Sequence, residues 1–262
     1  MLGGKGMNGA FYIGAAGMDA QQRALDIVAN NIANINTTGF KRSAVRFSEL
    51  VAAIDSAADP ASISNILTNS SGVAVGAVPH VWAQGDVKQT GQELDLAIDG
   101  VGFLELLGPS GRSLLWRGGT LKVNADGYLA STDGIALRAT ISVPEGTSKL
   151  VIARDGVVSA LVGGETDMRQ MGQIDLVMVN DADTLKDAGN GYYEATDPAG
   201  IVTVQAGDNG SGAFVQGALE SSNVQLTEEM VSLLLMQRSY AASAQVVQAG
   251  DQLMGIVNGL RR

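Results

Sequence analysis

Apolar residues recur every seven positions near the start of the chain, and this repeat restricts the fold more than any other feature of the sequence. One position of the repeat holds Phe11, Met18, Leu25 and Ile32, and the second holds Gly14, Gln21, Val28 and Ile35. This spacing predicts a helix over 11–35 that packs along one seam. At about 1.5 Å per residue the helix would be roughly 37 Å long, which exceeds an ordinary small-domain helix. Gly39 is expected to end it, after two threonines of weak helix propensity.

Small residues flank this predicted seam, where ordinary paired coiled coils carry Glu and Lys. The flanks are Ala15, Gln22, Ala29 and Asn36 on one side and Gly17, Ala24 and Asn31 on the other. Such flanks permit several helices to approach closely. Asn30, Asn31 and Asn34 lie off the seam, and their amides are predicted to hydrogen-bond neighbouring chains. The alternative interpretation is a solvated polar face.

A second helix is predicted over the last part of the chain. Ser222 with Gln225 has capping-box spacing, and Thr227 before two glutamates offers a second start. One seam then follows helical spacing through Leu226, Met230, Leu233, Gln237, Tyr240, Ala244, Val247, Asp251 and Met254. Leu235 lies nearly opposite this seam. A helix that is apolar on two faces must be covered on two sides.

The middle of the chain changes to a period of two. Leu94, Leu96 and Ile98 alternate with polar or small residues, and Asp-Gly and Asn-Gly pairs supply the positions of positive φ that tight hairpins need. These patterns predict an α+β fold in which long N- and C-terminal helices pair as a coiled coil, with a central antiparallel β domain between them in sequence. The expected domains are an N-terminal helix (1–40), a linker or extended segment (41–75), the β domain (76–215) and a C-terminal helix (216–262).

Composition excludes several classes of function. The chain has 17 Lys and Arg, 27 Asp and Glu, and a net charge of −10, so it lacks the basic clusters that bind nucleic acid or a membrane surface. No apolar run approaches the roughly 20 residues that span a bilayer. The first six residues contain no continuous apolar stretch, so no cleaved secretory signal is expected. The absence of cysteine removes disulfides, thiol catalysis and cysteine-based zinc sites.

Catalytic patterns are nearly absent from the sequence. His80 is the single histidine, so a Ser-His-Asp triad would have to be built on it, and a surface or half-buried strand position is the preferred interpretation. Asp95, Asp99 and Glu105 alternate along strands and turns, where carboxylates usually face solvent. Gly100-Val101-Gly102 lacks the third glycine and following helix of a nucleotide-binding loop. We therefore predict no catalytic, cofactor-binding or metal-binding residues, no cofactor, and no enzyme activity.

Four segments, in order, carry a specific resemblance. They are 29–42 (ANNIANINTTGFKR); 85–91 (GDVKQTG) leading into 94–103 (LDLAIDGVGF); 124–129 (NADGYL); and 217–224 (GALESSNV) followed by 228–231 and by QRSY at 237–240. Together they resemble bacterial flagellar rod and hook proteins, the axial proteins of the basal body, and most closely the distal rod type. Proximal-rod and hook-type subunits are the alternatives within the family. An alternative of another class is a monomeric β-domain binding module closed by its terminal helices.

The resemblance implies a structural subunit that stacks helically into the rod, the drive shaft that transmits torque from motor to hook across the periplasm. It also implies contacts with proximal-rod and hook-side axial proteins and with the basal-body bushing rings. Export would run through the flagellar type III apparatus without a cleaved signal. Assembly contacts are predicted at Met18, Leu25, Asn30, Asn31, Ile32, Asn34, Ile35, Leu226, Met230, Leu233, Leu235, Tyr240, Val247 and Met254.

Overall fold

The computed structural model describes residues 4–51, 71–75, 78–163, 167–195, 200–208 and 210–260. Helix α1 (Gly4–Ala33) and helix α2 (Leu226–Leu260) lie near the two ends of the sequence, and antiparallel β-strands occupy the middle. This confirms the predicted α+β class with two long helices and a central antiparallel β domain. The linker prediction over 41–75 falls partly on 52–70, which lies outside the described residues.

The strands are β1 (Phe47–Val51), β2 (Ser71–Val75), β3 (Val87–Gln89), β4 (Asp95–Asp99), β5 (Leu104–Leu107), β6 (Ser113–Trp116), β7 (Gly118–Val123), β8 (Leu129–Ser131), β9 (Thr147–Ile152), β10 (Val157–Val162), β11 (Arg169–Gln173), β12 (Leu176–Val179), β13 (Leu185–Gly189), β14 (Tyr192–Ala195), β15 (Ile201–Val204), β16 (Ala213–Gln216) and β17 (Ala218–Glu220). Four-stranded sheets have the orders β13-β14-β6-β5 and β16-β4-β7-β8. A three-stranded sheet has the order β11-β10-β9, and β1-β2, β12-β15 and β17-β3 are pairs.

Helix α1 begins at Gly4, earlier than the heptad pattern indicates, and ends at Ala33. Asn and Thr residues follow at once, and they bond to each other locally in place of continuing the helix: the Thr37 hydroxyl donates to the Asn34 side-chain oxygen at 3.1 Å. Gly39 has the predicted left-handed φ, at +68°, but the prediction that it ends the helix is wrong, because the helix ends six residues earlier at Ala33.

Helix α2 begins at Leu226, with Glu228 and Glu229 in its first turn as predicted. Carboxylates at that place interact favourably with the positive end of the helix dipole. The predicted capping box of Ser222 and Gln225 is wrong, because the helix begins only after Gln225. The Ser222 hydroxyl instead accepts a hydrogen bond from the Val224 amide at 3.3 Å.

The described chain forms two compact units. We call Met1–Ala33, Ser43–Val81 and Gln225–Arg262 the helical unit, and Asn34–Arg42 with Trp82–Val224 the β unit. In the helical unit, β1 pairs with β2 in the register Phe47 with Val75 and Val51 with Ser71. The two ends of the described chain therefore belong to one unit although they are distant in sequence.

The β unit is built around a large apolar core. Its buried members come from most of the strands and include Leu96, Ile98, Leu104, Leu106, Leu121, Leu129, Val158, Leu176 and Phe214. A smaller cluster joins Phe103, Leu115, Val177, Leu185 and Tyr193. The edge of Trp82 packs against the rings of Phe103 and Tyr193, at centroid distances of 5.4 and 4.9 Å. These two clusters bury apolar side chains from most strands of the β unit.

Tight turns join neighbouring strands where the sequence predicts them. Asn190 and Gly191 both have positive φ, at 54° and 77°, in the connection between β13 and β14. Gly156, with φ +87°, closes the turn between β9 and β10, where its amide donates to the Ala153 carbonyl at 3.0 Å. The Asn-Gly prediction at 209–210 rests on Asn209, which lies outside the described residues.

Candidate assembly surfaces

The two helices of the helical unit contact each other in opposite chain directions. Gly14 lies against Val247, and a Cβ atom at Gly14 would fall 2.6 Å from a methyl carbon of that valine. Gly17 lies nearest Ser243, and farther along, the Asn31 amide donates to a Glu229 carboxylate oxygen at 3.2 Å. Because α1 positions rise while α2 positions fall, the two helices run antiparallel. Glycine at position 14 permits the close approach.

Asn31 holds one end of this contact. Its side chain is only 1% exposed, and its amide group donates to the Ser43 carbonyl and accepts from the Ser43 amide, both at 2.9 Å. The bond to buried Glu229 is the third. An amide that donates twice and accepts once satisfies most of its hydrogen-bonding groups, which is what burial requires. The Asn31 amide thus bonds inside the subunit, whereas the sequence predicted bonds to neighbouring chains.

The face of α2 that points away from α1 carries large apolar side chains. Val231, Leu235, Val246, Leu253 and Ile256 are 55–59% exposed. With Arg238, Ala242 and Ala249, also exposed, they recur every three or four residues, so they share one face. We call these eight residues the outer stripe of α2. Water contact along such a stripe is unfavourable, since covering apolar surface contributes about 25 cal/mol per Å².

Helix α1 also has a face turned away from its partner helix. Six of its exposed residues follow the same three- or four-residue spacing, namely Ala15, Asp19, Gln22, Asp26, Ala29 and Ala33, and Arg23 and Asn30 are exposed beside them. We call the six the outer stripe of α1. Ala20, Ala24 and Val28, which are buried, lie on the opposite side of the helix. The outer stripe of α1 therefore carries mainly small and acidic side chains, whereas that of α2 carries mainly apolar ones, five of them large.

The predicted assembly residues are distributed over both inner and outer surfaces. Half-buried positions are Met18, Leu25, Ile32, Asn34, Ile35, Leu233 and Val247, and exposed positions are Asn30, Leu226, Met230, Leu235 and Tyr240. The side chain of Met254, like that of Phe11, lies outside the described part of the structure. Leu235 is on the outer stripe of α2, and Val247 faces Gly14 inside the subunit. Contacts of these residues with neighbouring chains stay a prediction.

A buried charged cluster organises the β unit. Glu220, 2% exposed, accepts from Lys41 Nζ at 2.6 Å and from Arg117 Nη2 at 3.0 Å, and it also accepts from the Gly85 amide at 2.9 Å. Arg117 donates further to the Gly102 carbonyl at 2.5 Å and the Gly100 carbonyl at 3.0 Å. Two cations thus share one carboxylate. Burial lowers the pKa of Lys41, Glu220 opposes that effect, and Arg117 adds to it.

Three of the four segments that carry the family resemblance meet at this cluster. Lys41 is the next-to-last residue of the first segment, Gly85 begins the second, and Glu220 lies in the last. Asn223, three residues beyond Glu220, accepts from the Arg42 amide at 2.7 Å and donates to the Ala83 carbonyl at 2.9 Å. The sequence analysis missed Lys41, Arg117 and Glu220. The available signal was that Lys41 and Glu220 each lie in a segment that carries the resemblance. Nothing in the sequence indicates that these two residues pair, because they are 179 residues apart.

Candidate catalytic residues have structural roles where they are described. The ring Nδ1 of half-buried His80 is 3.3 Å from the Ser43 hydroxyl, in an isolated β-bridge between these two residues. The expectation that Asp95 faces solvent is wrong. It is 2% exposed, because its carboxylate accepts from the Thr90 and Thr120 hydroxyls at 2.5 and 2.6 Å.

The described residues contain no group of three or more His, Asp or Glu side chains arranged to hold a metal ion. Over the same part of the chain, neither helix combines the length and apolar character needed to cross a bilayer.

Comparison with protein families identifies the class. Three models match in chain order: the flagella basal body rod protein at residues 11–41, the flagellar hook protein FlgE/F/G D1 domain at 97–160, and the flagellar basal body rod FlgEFG protein C-terminal region at 215–260. The first and last matches cover α1 and α2, and the middle match lies in the β unit. The chain is thus of the flagellar rod and hook class.

Individual relatives narrow the class to one family. The flagellar basal-body rod protein FlgG of Agrobacterium fabrum is 34% identical over 256 residues, covering 95% of this chain and 98% of its own. FlgG of Bacillus subtilis is 31% identical, covering 97% and 99% of the two chains. The flagellar hook-basal body complex protein FlhP of Bacillus subtilis is 26% identical, covering 92% and 94%. The chain belongs to the flagellar basal-body rod protein family, which confirms the resemblance read from the sequence.

Proposed function

We propose that this chain is a non-enzymatic structural subunit of the distal part of the flagellar rod. Copies assemble helically into the drive shaft that carries torque from motor to hook. Of the two Bacillus subtilis relatives, FlgG is more similar than FlhP, which favours the distal-rod assignment over other axial positions. Export through the flagellar type III apparatus, without cleavage of a signal peptide, and a periplasm-spanning location follow from the same assignment.

The outer stripe of α2 is the observation that carries this proposal. A single subunit exposes five large aliphatic side chains on the face opposite the one that contacts α1. An apolar face of that length is covered in a stable protein, and repeated assembly covers it in every copy. In the assembled rod, α1 and α2 form an inner coiled-coil layer. Torque resistance then comes from many apolar contacts acting together.

The partners follow from the place of such a subunit in the rod. Like copies provide most contacts, proximal-rod proteins adjoin one end and hook-side axial proteins the other, and the bushing rings surround the shaft. Seam packing is assigned to Met18, Leu25, Ile32, Ile35, Leu226, Met230, Leu233, Leu235, Tyr240, Val247 and Met254, and polar contacts between chains to Asn30 and Asn34, since the Asn31 amide is already used inside the subunit. No cofactor is required for this role.

Substitution Ile32→Asp tests the proposal. A carboxylate on the α1 seam should abolish rod assembly and motility, since it would be buried without a partner. Exposed Asn36→Asp, which adds the same charge just beyond α1, is the matched control and should remain motile. Both tryptophans lie in the β unit, so unchanged tryptophan fluorescence would show that the β unit is folded. A motile Ile32→Asp strain would contradict the proposal.

Limited proteolysis separates the rod subunit from a monomeric binding module. In dilute solution, the helices of a rod subunit lack the neighbours that cover their outer stripes, so protease should remove them and leave the β unit. Assembly should protect them. A dilute monomer whose helices resist cleavage as well as the β unit does would favour the binding module instead.

A further inference from the structure

We propose that the outer stripe of α2 binds the outer stripe of α1 from a second copy of this chain, with Arg238 paired to Asp26 of that copy. This inference rests on the proposed rod function and specifies the contact through which copies join. Each subunit would use α2 toward one neighbour and α1 toward another.

The shapes of the two stripes are complementary. The outer stripe of α2 presents large side chains such as Val231, Leu235 and Val246, whereas that of α1 presents alanines at 15, 29 and 33. Large side chains facing small ones allow two helices to approach closely without voids. Two copies of the α2 stripe facing each other in parallel register would instead place Arg238 against Arg238, which is repulsive.

The charges on the two outer stripes are also complementary. Arg238 is the one cation in the outer stripe of α2, and it forms no ion pair with the part of its own chain that the structure describes. In the outer stripe of α1, Asp19 already pairs with Arg23 at 3.0 Å. Asp26 accepts only from the neutral Gln22 amide at 3.2 Å, so its charge is not balanced within the described subunit. Arg238 and Asp26 are thus opposite charges on complementary faces.

The register inside the subunit shows that these residues can meet. Within one subunit, Asn31 faces Glu229 and Gly17 faces Ser243. If the contact between copies keeps this antiparallel register, Arg238 faces Gln22, and Asp26 lies one helical turn away. That separation is about 5–6 Å along the helix, which an arginine side chain spans.

This contact is heterologous, because it joins different surfaces of the two copies. A heterologous contact that does not close on itself generates an open helical assembly, as a rod requires. A face-to-face dimer through two identical stripes would stop at two copies.

Engineered cysteines test the contact directly, since the natural chain contains none. Cells whose motility depends on this protein would express one copy with Ala29→Cys and another with Val231→Cys, and isolated basal bodies would be oxidised. Repeating the internal register places Ala29 against Val231, so a disulfide dimer is expected. Ser232→Cys, one position away and half-buried, is the matched control and should give at least about fivefold less dimer. Equal dimer yields, or none in motile cells, would overturn the inference.

A charge exchange provides the second test. Arg238→Glu should stop motility because two carboxylates would face each other, and adding Asp26→Arg should restore at least half of the wild-type swimming. Failure of the double variant to improve on Arg238→Glu, with both proteins present at equal levels and equally helical by circular dichroism, would overturn the pairing. The proposed function is tested separately by Ile32→Asp: if that variant is immotile while the exchange fails, only the inference about α1 and α2 falls.

Discussion

Glu220→Gln should destabilise the β unit more than any other single-atom change in its charged cluster. The substitution exchanges one oxygen for an amide nitrogen and preserves shape. It removes the one negative charge shared by Lys41 and Arg117, which are 1% and 4% exposed. Two buried cations would then face each other without a counter-charge, and the new amide could no longer accept every hydrogen bond that the carboxylate accepts.

The size of the effect follows from the geometry. Glu220 accepts from Lys41 at 2.6 Å and from Arg117 Nη2 and Nε at 3.0 and 3.1 Å. Removing one member of a buried ion pair typically costs about 3–5 kcal/mol. With a urea dependence of about 2–3 kcal/mol per M for a domain of this size, the unfolding midpoint should fall by about 1–2.5 M.

Urea unfolding of the full chain, followed by tryptophan fluorescence, measures this loss, because both tryptophans lie in the β unit. Glu194→Gln is the matched control. The ion pair between Glu194 and Arg112, at 3.4 Å, is largely exposed, so Glu194→Gln should lower the free energy of unfolding by at most about 1 kcal/mol. A loss for Glu220→Gln no greater than that of the control would refute the reasoning.

Lys41→Met removes one of the two cations of the cluster instead of the carboxylate that they share. One cation, Arg117, then faces one carboxylate, Glu220, so the loss in free energy of unfolding should be clearly smaller than for Glu220→Gln. The two variants should also differ in pH dependence. Because the pKa of Lys41 is below its ordinary 10.5 in the folded chain, the unfolded chain binds more protons between the two values. Lys41 therefore makes the free energy of unfolding rise with pH in that interval, and Lys41→Met should remove this rise.

Three further outcomes are expected. Gly156→Ala should lower the free energy of unfolding by well over about 2 kcal/mol, because the new methyl group overlaps a backbone carbonyl oxygen. Gly207→Ala is the control: it has the same φ of +87° but lies in open space, so urea unfolding should show a loss of only about 1–2 kcal/mol. Gly14→Ala should weaken the contact between the helices, since the new methyl carbon would lie 2.6 Å from a carbon of Val247. Gly17→Ala has room for its methyl group, so it should raise the helicity measured by circular dichroism. Burial raises the pKa of Tyr192 to about 12, so stability should fall as pH rises from 10 through 12, and Tyr192→Phe should reduce that fall in alkaline unfolding curves.

Local sequence patterns were sufficient for the elements of the fold. The heptad spacing of α1, the acidic first turn of α2 and the turn at Asn190-Gly191 each depend on interactions between residues close in sequence. Period-two alternation likewise predicted β4, although not that Asp95 within it is buried. That burial depends on hydroxyl groups from two other segments, which the pattern of one strand does not contain.

The sequence by itself therefore indicated the two long helices, the β character of the middle region, the α+β class and the family, because propensity, periodicity and characteristic segments are all properties of the linear chain. The tertiary structure alone decided how Lys41, Arg117 and Glu220 share charge, and that Asn31 is used inside the subunit. It also separated the covered from the uncovered faces of α1 and α2. These features depend on burial and on distances between residues far apart in sequence, which are fixed only when the chain packs.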